Sequence, residues 1–242
     1  LQFFFDGELD FATLKADCLQ AMQTFAVEDV LPVVKIDKNL FIAELLYGQT
    51  HSFYDFANAL FPLIYRHAYE KYGENKKSIV FAATDVNSAS AIATAMKACQ
   101  EIQTILLYPA AFCSKLQMRE IASKHGENIE ILPIEASDLE DVEELLLQFL
   151  KENRTKLEEK GYCVTILGEW NILNILVQIA IFVSSYLDIL SAKEIGKTQN
   201  IDILLPIEHY SNFTAVLYAK QMGISIQNII VGMNINSTFY QA

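Results

Sequence analysis

The sequence predicts an α/β protein built from mostly parallel sheets flanked by helices. From residue 77 onward, short apolar runs rich in β-branched residues alternate with segments of helical periodicity, which is typical of parallel sheets. The 242 residues are 52% hydrophobic and 20% charged, the balance of a globular chain that buries a sizeable core. No internal repeat or low-complexity linker interrupts this pattern.

The first half of the pattern begins with a helix over 52–72. Gly73 directly after it is a plausible C-cap, and Pro62 inside it predicts a kink or a later start, because proline cannot donate the helical hydrogen bond. The elements that follow are predicted strands over 78–84, 104–109 and 129–135, with helices over 87–99 and 115–124 between them.

The second half begins at Ser137-Asp-Leu-Glu140, which has the pattern of a capping box and predicts the start of an amphipathic helix. The apolar face of this helix comprises Leu139, Val142, Leu145, Leu146, Phe149 and Leu150. The remaining predicted elements are a strand over 162–167, a buried helix from 171, a strand over 201–206, a helix over 212–222 and a strand over 228–234.

Composition excludes several classes of partner and site. With 18 basic and 30 acidic residues, the formal charge of −12 argues against non-specific binding to nucleic acid or to an anionic membrane. The cysteines show neither a C-x-x-C spacing nor a nearby histidine pair, so we expect no metal site and no disulfide framework. We therefore expect a soluble, intracellular protein of a reducing compartment, either the cytoplasm or an organelle matrix.

Two segments bear on targeting. The run 172–187 carries no charge, but it is short for a bilayer and contains several polar residues, so we expect a buried helix and no membrane span. The first residues lack the basic region and cleavage site of a signal peptide, although a targeting peptide removed earlier would leave the same start.

The segment 48-GQTHSFYDF-56 carries the most specific motif. Gly48, Thr50, Phe53, Asp55 and Phe56 match the G-P-T-x-A-F-K-D-F signature of threonine synthases, so the chain resembles that family. In the family the lysine carries pyridoxal phosphate (PLP) as a Schiff base, and here that position is Tyr54. A phenol cannot form an imine, so the resemblance implies that this covalent chemistry is lost.

Other segments extend the resemblance in the same order along the chain. Residues 29–45 resemble the segment before the lysine, and 107–117 resemble the family's L-Y-P…S-x-L-Q stretch. Residues 171–186 resemble its S-I-N-I-G-R-L-L-P-Q-I helix, and 206–223 resemble the region around G-N-F-G-N. The resemblance implies a partial PLP fold type II, similar to the tryptophan synthase β subunit. It divides the chain into an N-terminal segment with the lysine-motif helix (1–74), a small α/β domain (75–170) and a remnant of the large domain (171–242).

The family's two cofactor loops also differ here. Its phosphate-binding G-N-F-G-N becomes Glu208-His-Tyr-Ser-Asn212, which loses both glycines and adds a carboxylate where a dianion binds. Its T-S-G-D-T-G-S-A loop becomes 84-TDVNSASA-91, again without the glycines. We therefore expect no PLP cofactor, although the family uses one.

The resemblance assigns eleven residues to a vestigial pocket and none to catalysis. They are His51, Tyr54, Asp55, Thr84, Asn87, Ser88, Asn171, Glu208, His209, Tyr210 and Asn212. A cluster of Tyr54, His51, His209 and Glu208 could in principle do acid–base chemistry, but a polar remnant is the interpretation we favour. An alternative interpretation is that Tyr54, Tyr210 and Trp170 fill the volume that cofactor and substrate would occupy in the family.

The function implied is that of a catalytically inactive, threonine-synthase-like pseudoenzyme acting as a structural or regulatory subunit of a larger assembly. Protein partners, in a hetero- or homo-oligomer, could dock on the aromatic start of the chain, which contains Phe3, Phe4, Phe5 and Phe11. One alternative is a PLP-dependent lyase with a relocated lysine, the candidates being Lys35, Lys38, Lys71, Lys76 and Lys77. Another alternative is a small-molecule sensor that uses the vestigial pocket.

Overall fold

The computed structural model describes residues 1–111, 113–168, 171–196, 199–206 and 210–233. In chain order its elements are a short 3₁₀ helix (Gln2–Phe4), α1 (Phe11–Met22), β1 (Val33–Asp37), β2 (Leu40–Ala43), α2 (Tyr54–Tyr72), β3 (Lys77–Ala83), α3 (Val86–Lys97), β4 (Ile102–Pro109), α4 (Lys115–Ala122), β5 (Ile129–Ile134), α5 (Leu139–Glu159), β6 (Tyr162–Leu167), α6 (Ile172–Ser191), β7 (Ile201–Pro206), α7 (Tyr210–Gln221) and β8 (Ile226–Gly232). This confirms the predicted α/β class.

The chain forms two compact units. The larger unit combines residues 7–30 with 45–171, and the smaller combines residues 1–6 and 31–44 with the described part of 172–242. The sequence-based division treats residues 1–74 as one segment. In the structure residues 7–30 and 45–74 group with 75–171, whereas residues 1–6 and 31–44 group with the C-terminal part of the chain.

A four-stranded parallel sheet in the order β5-β4-β3-β6 forms the centre of the larger unit. Strand β3 lies between β4 and β6 and is covered on both faces, as its continuous apolar sequence predicts. Ile79, Phe81 and Ala83 face a cluster formed with α5, while Val80 and Ala82 on the other face are fully buried. Strands β4 and β5 lie in that order on one side of β3, and β6 lies on the other side.

Helix α5 begins one residue later than the predicted capping box implies. The N-cap is Asp138, whose carboxylate accepts a hydrogen bond from the backbone N–H of Asp141. The Ser137–Glu140 box is therefore wrong, because Ser137 donates its own hydroxyl to Asp141 and leaves the cap position to Asp138. Of the predicted apolar face, Val142, Leu146 and Leu150 are buried, whereas Leu145 is 46% exposed and Phe149 is 43% exposed.

Helix α2 runs from Tyr54 to Tyr72 through Pro62, so the later start that the proline suggested does not occur. Gly73 is the C-cap, as predicted, and its N–H donates to the carbonyl of Tyr69 at 2.7 Å. The φ of Gly73 is −75°, which any residue can adopt, so the backbone conformation does not require glycine. The lack of room for a side chain does. A Cβ at Gly73 would lie 2.5 Å from the carbonyl oxygen of Tyr69.

The smaller unit contains an antiparallel hairpin and a two-stranded parallel sheet. The hairpin pairs β1 with β2 through a turn at Lys38 and Asn39. Strands β7 and β8 are parallel, with Leu205 paired to Val231. Leu205, Val216, Ala219 and Ile226 form the buried cluster between this sheet and α7, and Phe182 and Val183 of α6 pack against it.

Helix α6 is long and apolar enough to cross a membrane by length and composition, with a mean hydropathy of 1.9 over its most apolar window. The same properties are found in core helices of water-soluble proteins. Within the smaller unit its buried residues include Leu176 and Ile179, which pack against Ala215 of α7. In the part of the chain that the structure describes, 39% of the most apolar window of α6 is buried.

Candidate functional site

The loop that precedes α2 is organised by the carboxylate of Asp55. Its oxygens accept hydrogen bonds from the Thr50 backbone N–H at 2.9 Å, from the Thr50 hydroxyl at 2.7 Å and from the Ser52 backbone N–H at 3.3 Å. Asp55 lies in the first turn of the helix and is buried. These three hydrogen bonds tie the loop to the first turn of α2.

Two further motif residues serve the same loop. A Cβ added to Gly48 would lie 2.3 Å from Oδ2 of Asp55, so only glycine leaves room for the carboxylate. His51 has a left-handed φ of 56°. The side chain of His51 is exposed, and its Nδ1 lies 3.0 Å from the carbonyl oxygen of Leu46. His51 therefore contributes to the turn from an exposed position.

Tyr54 is the first residue of α2 and only 7% of its surface is exposed. Its ring lies against that of Phe53, with the ring centroids 4.1 Å apart. The residue in the family's lysine position is thus a buried aromatic side chain at a helix start. It is held by packing and carries no amine.

The loop after β3 is closed by short polar contacts. The hydroxyls of Thr84 and Ser88 are hydrogen-bonded to each other, and both residues are buried. Asp85 is the N-cap of α3 and accepts a hydrogen bond from the Ser88 N–H at 2.7 Å. Asn87, in contrast, is exposed. A protein carboxylate therefore occupies the N-terminus of α3, where the family's glycines would leave room for a ligand.

Thr84 and Asn171 lie at the same edge of the larger sheet. Thr84 directly follows β3 and Asn171 comes four residues after β6, and these two strands are parallel neighbours, with Ala82 paired to Leu167. The strand order reverses at this point, which is where ligands bind in open α/β sheets. The topology thus places Thr84 and Asn171, which are both predicted site residues, and Ser88 at the edge of the sheet where a ligand is expected.

In the smaller unit, Asn212 connects the end of β7 to the start of α7. Its Nδ2 donates to the carbonyl of Pro206 at 2.5 Å, and its Oδ1 accepts from the N–H of Phe213 at 2.7 Å. Tyr210, the first residue of α7, is exposed. The predicted residues Glu208 and His209, together with Trp170, lie outside the described residues. The phosphate-loop comparison and the four-residue acid–base cluster therefore remain predictions.

The residues of the motif do not fit PLP held as a Schiff base, because Tyr54 has no amine. Three of the five alternative lysines belong to the larger unit. Lys71 lies 17 residues after Tyr54 in the same helix, which places it about 25 Å away along the axis. Lys76 and Lys77 lie at the amino end of β3, opposite the edge that carries Thr84.

The other two alternative lysines belong to the smaller unit. Lys35 forms an ion pair with Glu194, and Lys38 lies in the turn between β1 and β2. Among the residues that the structure describes, no group of three or more His, Cys, Asp or Glu side chains could hold a metal ion. The four cysteines are free thiols.

Sequence reasoning did not assign a role to Asp85. The signal was present, because Asp is a preferred N-cap residue and stands just before the predicted helix over 87–99, but only the lost glycines of this loop were compared with the family. The cavity beside α3, which Thr94 and Cys99 help to line, has no sequence signal, since it depends on packing between helices.

Comparison with known proteins shows which proteins this chain resembles. No family model matches the chain. The human protein "Threonine synthase-like 1" is 27% identical over 226 residues, covering 88% of this chain and 29% of the relative. Threonine synthase of Eremothecium gossypii is 25% identical over 243 aligned positions, covering 96% of this chain and 46% of the enzyme. The chain thus spans half or less of the length of these relatives.

Solved structures show the same fold. PLP-bound threonine synthase from Brucella melitensis aligns with a TM-score of 0.81 and 21% identity, covering 100% of this chain and 50% of that one. Threonine synthase from Escherichia coli aligns with a TM-score of 0.72 and 22% identity, covering 97% and 55%. In sequence and in fold the chain is thus similar to threonine synthases, and residue 54, which the motif aligns with their lysine, is a tyrosine.

Proposed function

We propose that this chain is a catalytically inactive, threonine-synthase-like protein that serves as a structural or regulatory subunit of a larger assembly. The observation that carries the proposal is Tyr54, which is buried at the first residue of α2 in the place of the PLP-binding lysine. Without a primary amine the side chain cannot form the covalent link to the aldehyde.

The preserved loop around Tyr54 supports this proposal. Asp55 still holds Thr50 and Ser52, and Gly48 still leaves space for the Asp55 carboxylate. The residues that support the loop are thus present, whereas the lysine that would be linked to PLP is absent. This combination is expected when a protein is selected for its structure and no longer for the reaction.

The positions of the lysines argue against a PLP-dependent lyase with a relocated lysine. In the larger unit, Lys71 is bound to Glu8 at 2.7 Å near the far end of α2, and Lys76 is bound to Glu74 at 2.7 Å. Lys77 lies at the amino end of β3. None of these three amines is near the first turn of α2, where the family's aldehyde would be linked.

Exposed aromatic side chains support the role as a subunit. Phe3 is 81% exposed and Phe11 is 64% exposed, whereas Phe5 packs against the cluster of α6. Large exposed aromatic side chains are enriched at protein interfaces. With a formal charge of −12 we propose a protein partner, in a hetero- or homo-oligomer, and neither nucleic acid nor an anionic membrane. The free thiols are compatible with the proposed reducing compartment inside the cell.

Borohydride trapping tests whether any lysine of the chain forms a Schiff base with PLP. The purified chain is incubated with PLP, reduced and mapped by peptide mass spectrometry. We expect no stoichiometric adduct, only scattered labelling of exposed lysines. The matched control is Tyr54→Lys, which restores an amine at the motif position. A stoichiometric adduct on one lysine of the unmodified chain would refute the proposal and identify the replacement.

A measurement of association tests whether the chain is a subunit of a larger assembly. The tagged chain is isolated under crosslinking from cells of its source, and its mass in solution is measured by sedimentation. We expect a stable complex of defined stoichiometry, either with another protein or with itself, that is weakened by Phe3→Ser or Phe11→Ser. Lys15→Ser, a change at an exposed position of α1, is the control. A monomer without any stoichiometric partner would count against the role as a subunit.

A further inference from the structure

Most of the large apolar side chains that are exposed belong to the smaller unit, although this unit has fewer residues than the larger one. Many of them lie on the sheet of β7 and β8, on the outer side of α7 and on the hairpin of β1 and β2. Contiguous apolar surface of this kind marks a place where another molecule binds.

The parallel sheet of β7 and β8 is apolar on both faces. On one face, Leu205 and Ile226 are buried against Val216 of α7. On the other face, Leu204 is 72% exposed, and Ile230, its neighbour in the register, is 49% exposed. Parallel sheets normally have both faces covered, and sheets of about four to six strands are the most common. The sheet is therefore suited to a further strand and to a helix over Leu204 and Ile230.

Helix α7 is also apolar on both sides. Ala215 and Val216 are buried toward α6 and the sheet, whereas Leu217 and Tyr218 on the opposite side are exposed. The only charged residue within the helix is Lys220, and its amine donates to the carbonyl of Gln227 at 3.1 Å. A helix that is apolar all round is typical of a protein interior. The outer side of α7 is thus a second surface suited to a covering element.

The hairpin of β1 and β2 turns an apolar face to solvent. Val34 and Ile42 are cross-strand neighbours and both are exposed. Leu40, two residues from Ile42 on the same strand, is on the same face and is also exposed. On the other face, Lys35 forms an ion pair with Glu194 of the same unit. The charged side of the hairpin therefore contacts its own unit, and the apolar side is left for a partner.

The size and the placement of these surfaces indicate what covers them. The outer face of the sheet, about 20 Å long and two strands wide, offers roughly 200 Å². A stable interface needs about 800 Å² from each partner, so a second copy placed face to face on this sheet is insufficient. The sheet and the exposed side of α7 face in opposite directions, because α7 packs on the sheet through its other side. A polypeptide that covers both must extend around the unit.

The comparisons indicate how much polypeptide such a fold contains. The threonine synthase of Brucella melitensis aligns with 100% of this chain, but the alignment covers only 50% of the enzyme. The related fold therefore has about as much polypeptide again outside the aligned part. Given the subunit role proposed above, we propose that the smaller unit binds a polypeptide that supplies this other half of the fold. It adds parallel strands to β7 and β8 and places a helix over Leu204 and Ile230.

Photocrosslinking in cells of the source tests this proposal. Benzoylphenylalanine replaces Leu204 on the sheet or Tyr218 on α7 in the intact protein, and Leu116, which is 77% exposed on α4 of the larger unit, is the control position. We expect positions 204 and 218 to crosslink to the same polypeptide segment outside residues 1–242. Its sequence should align with the half of the Brucella enzyme that has no counterpart in this chain. Position 116 should not react with it.

A charge on the bare sheet tests whether this contact holds the partner. Leu204→Asp leaves an unpaired carboxylate in an apolar contact, so we expect the crosslink from position 218 to fall about tenfold in yield. Leu116→Asp should leave this yield unchanged. Both positions are exposed, and urea unfolding checks that each variant is folded. A yield that Leu204→Asp does not lower would overturn the proposal.

The identity of the crosslinked molecule decides between this partner and others. Crosslinks from positions 204 and 218 to a second copy of the chain, to lipid or to a protein of another fold would overturn the proposal, as would no crosslink at all. A stable complex in cells without crosslinks from these positions would leave the subunit role intact and refute only this choice of partner. A lysine trapped by borohydride would instead refute the proposed loss of catalysis, whatever the crosslinks show.

Discussion

Asp55 and Thr50 are joined by two hydrogen bonds, from the backbone N–H of Thr50 at 2.9 Å and from its hydroxyl at 2.7 Å. Both residues match the motif around the lysine of threonine synthases: Thr50 lies before the lysine position, which is Tyr54 here, and Asp55 lies directly after it. The pair shows that these motif residues have a structural role that does not require the lysine. Their retention in a chain without the lysine is therefore explained by folding alone.

Replacing Asp55 by Asn should destabilise the larger unit. An amide oxygen can accept from one or two of the three donors, but the amide nitrogen would face N–H groups that need an acceptor. We expect a loss of about 1–3 kcal/mol in the free energy of unfolding, measured by urea denaturation. Thr50→Val, which removes only the hydroxyl, should cost about 1 kcal/mol. Equal stability of Asp55→Asn and the unmodified protein would contradict this role for the carboxylate.

Gly48→Ala tests the space beside the same carboxylate. The added Cβ would lie 2.3 Å from Asp55 Oδ2, so the loop must shift and weaken the bonds to Thr50. We expect a cost of about 1–3 kcal/mol, as for other over-packed sites, measured by thermal or urea unfolding. Gly196→Ala is the matched control, because a Cβ there has no atom within 4 Å. Similar effects of the two substitutions would show that space at Gly48 is not limiting.

The start of α5 gives a prediction about pH. Hydrogen bonds from Ser137, first from its hydroxyl and then from its backbone N–H, hold the pKa of Asp141 below its ordinary value of 3.8. A carboxyl whose pKa is lower in the folded protein contributes stability above its unfolded pKa, and that contribution is lost as the pH falls through the folded pKa. The window for this effect therefore lies below about pH 4.

Ser137→Ala removes the larger of these causes. We expect the pKa of Asp141, measured by carbon NMR of the side-chain carboxyl, to rise toward its ordinary value. Ser123→Ala removes a hydroxyl that bonds only to a backbone carbonyl of α4, and it should leave the titration of Asp141 unchanged. An Asp141 pKa that does not respond to Ser137→Ala would show that the hydroxyl is not the cause.

The fold was predictable where the chain carries a periodic apolar signal. Strand β6 has the predicted bounds, and β3 differs from its prediction by one residue at each end. The hairpin of β1 and β2 was not predicted, because its turn at Lys38-Asn39 contains no glycine and its strands carry charged residues. The start of α5 was misplaced because Ser137 and Asp138 both have side chains that can cap a helix.

The candidate site was predictable in its chemistry but not in its packing. The loss of the amine follows directly from the identity of residue 54. That Tyr54 is buried, whereas His51 three residues earlier is exposed, depends on the left-handed turn at His51 and on tertiary contacts. The cavity on α3 could not be predicted, because alanines at helical spacing normally indicate close packing and not a void.

Asn128 provides the last prediction, since one amide group holds three backbone carbonyls. Its Nδ2 lies 2.8 Å from the carbonyl oxygens of Met96 and Cys99 and 3.3 Å from that of Ile102, and the residue is buried. These carbonyls belong to the last turn of α3 (Met96), to the turn that follows it (Cys99) and to the first residue of β4 (Ile102). Asn128→Asp keeps the shape but sets a carboxylate against three carbonyl oxygens, which should cost about 3 kcal/mol or more at neutral pH.

Lowering the pH separates this electrostatic cost from a loss of packing. Burial and the facing carbonyls should raise the pKa of the introduced carboxyl, and once protonated it has an O–H that can donate to one of the carbonyls. We therefore expect the difference in unfolding free energy between Asn128→Asp and the unmodified protein to shrink as the pH falls. Asn153→Asp, at an amide that donates to a single carbonyl on α5, should cost less than about 1 kcal/mol at every pH. A large penalty for Asn128→Asp that stays constant with pH would mean that the turn tolerates no change of side chain at all, whatever its charge.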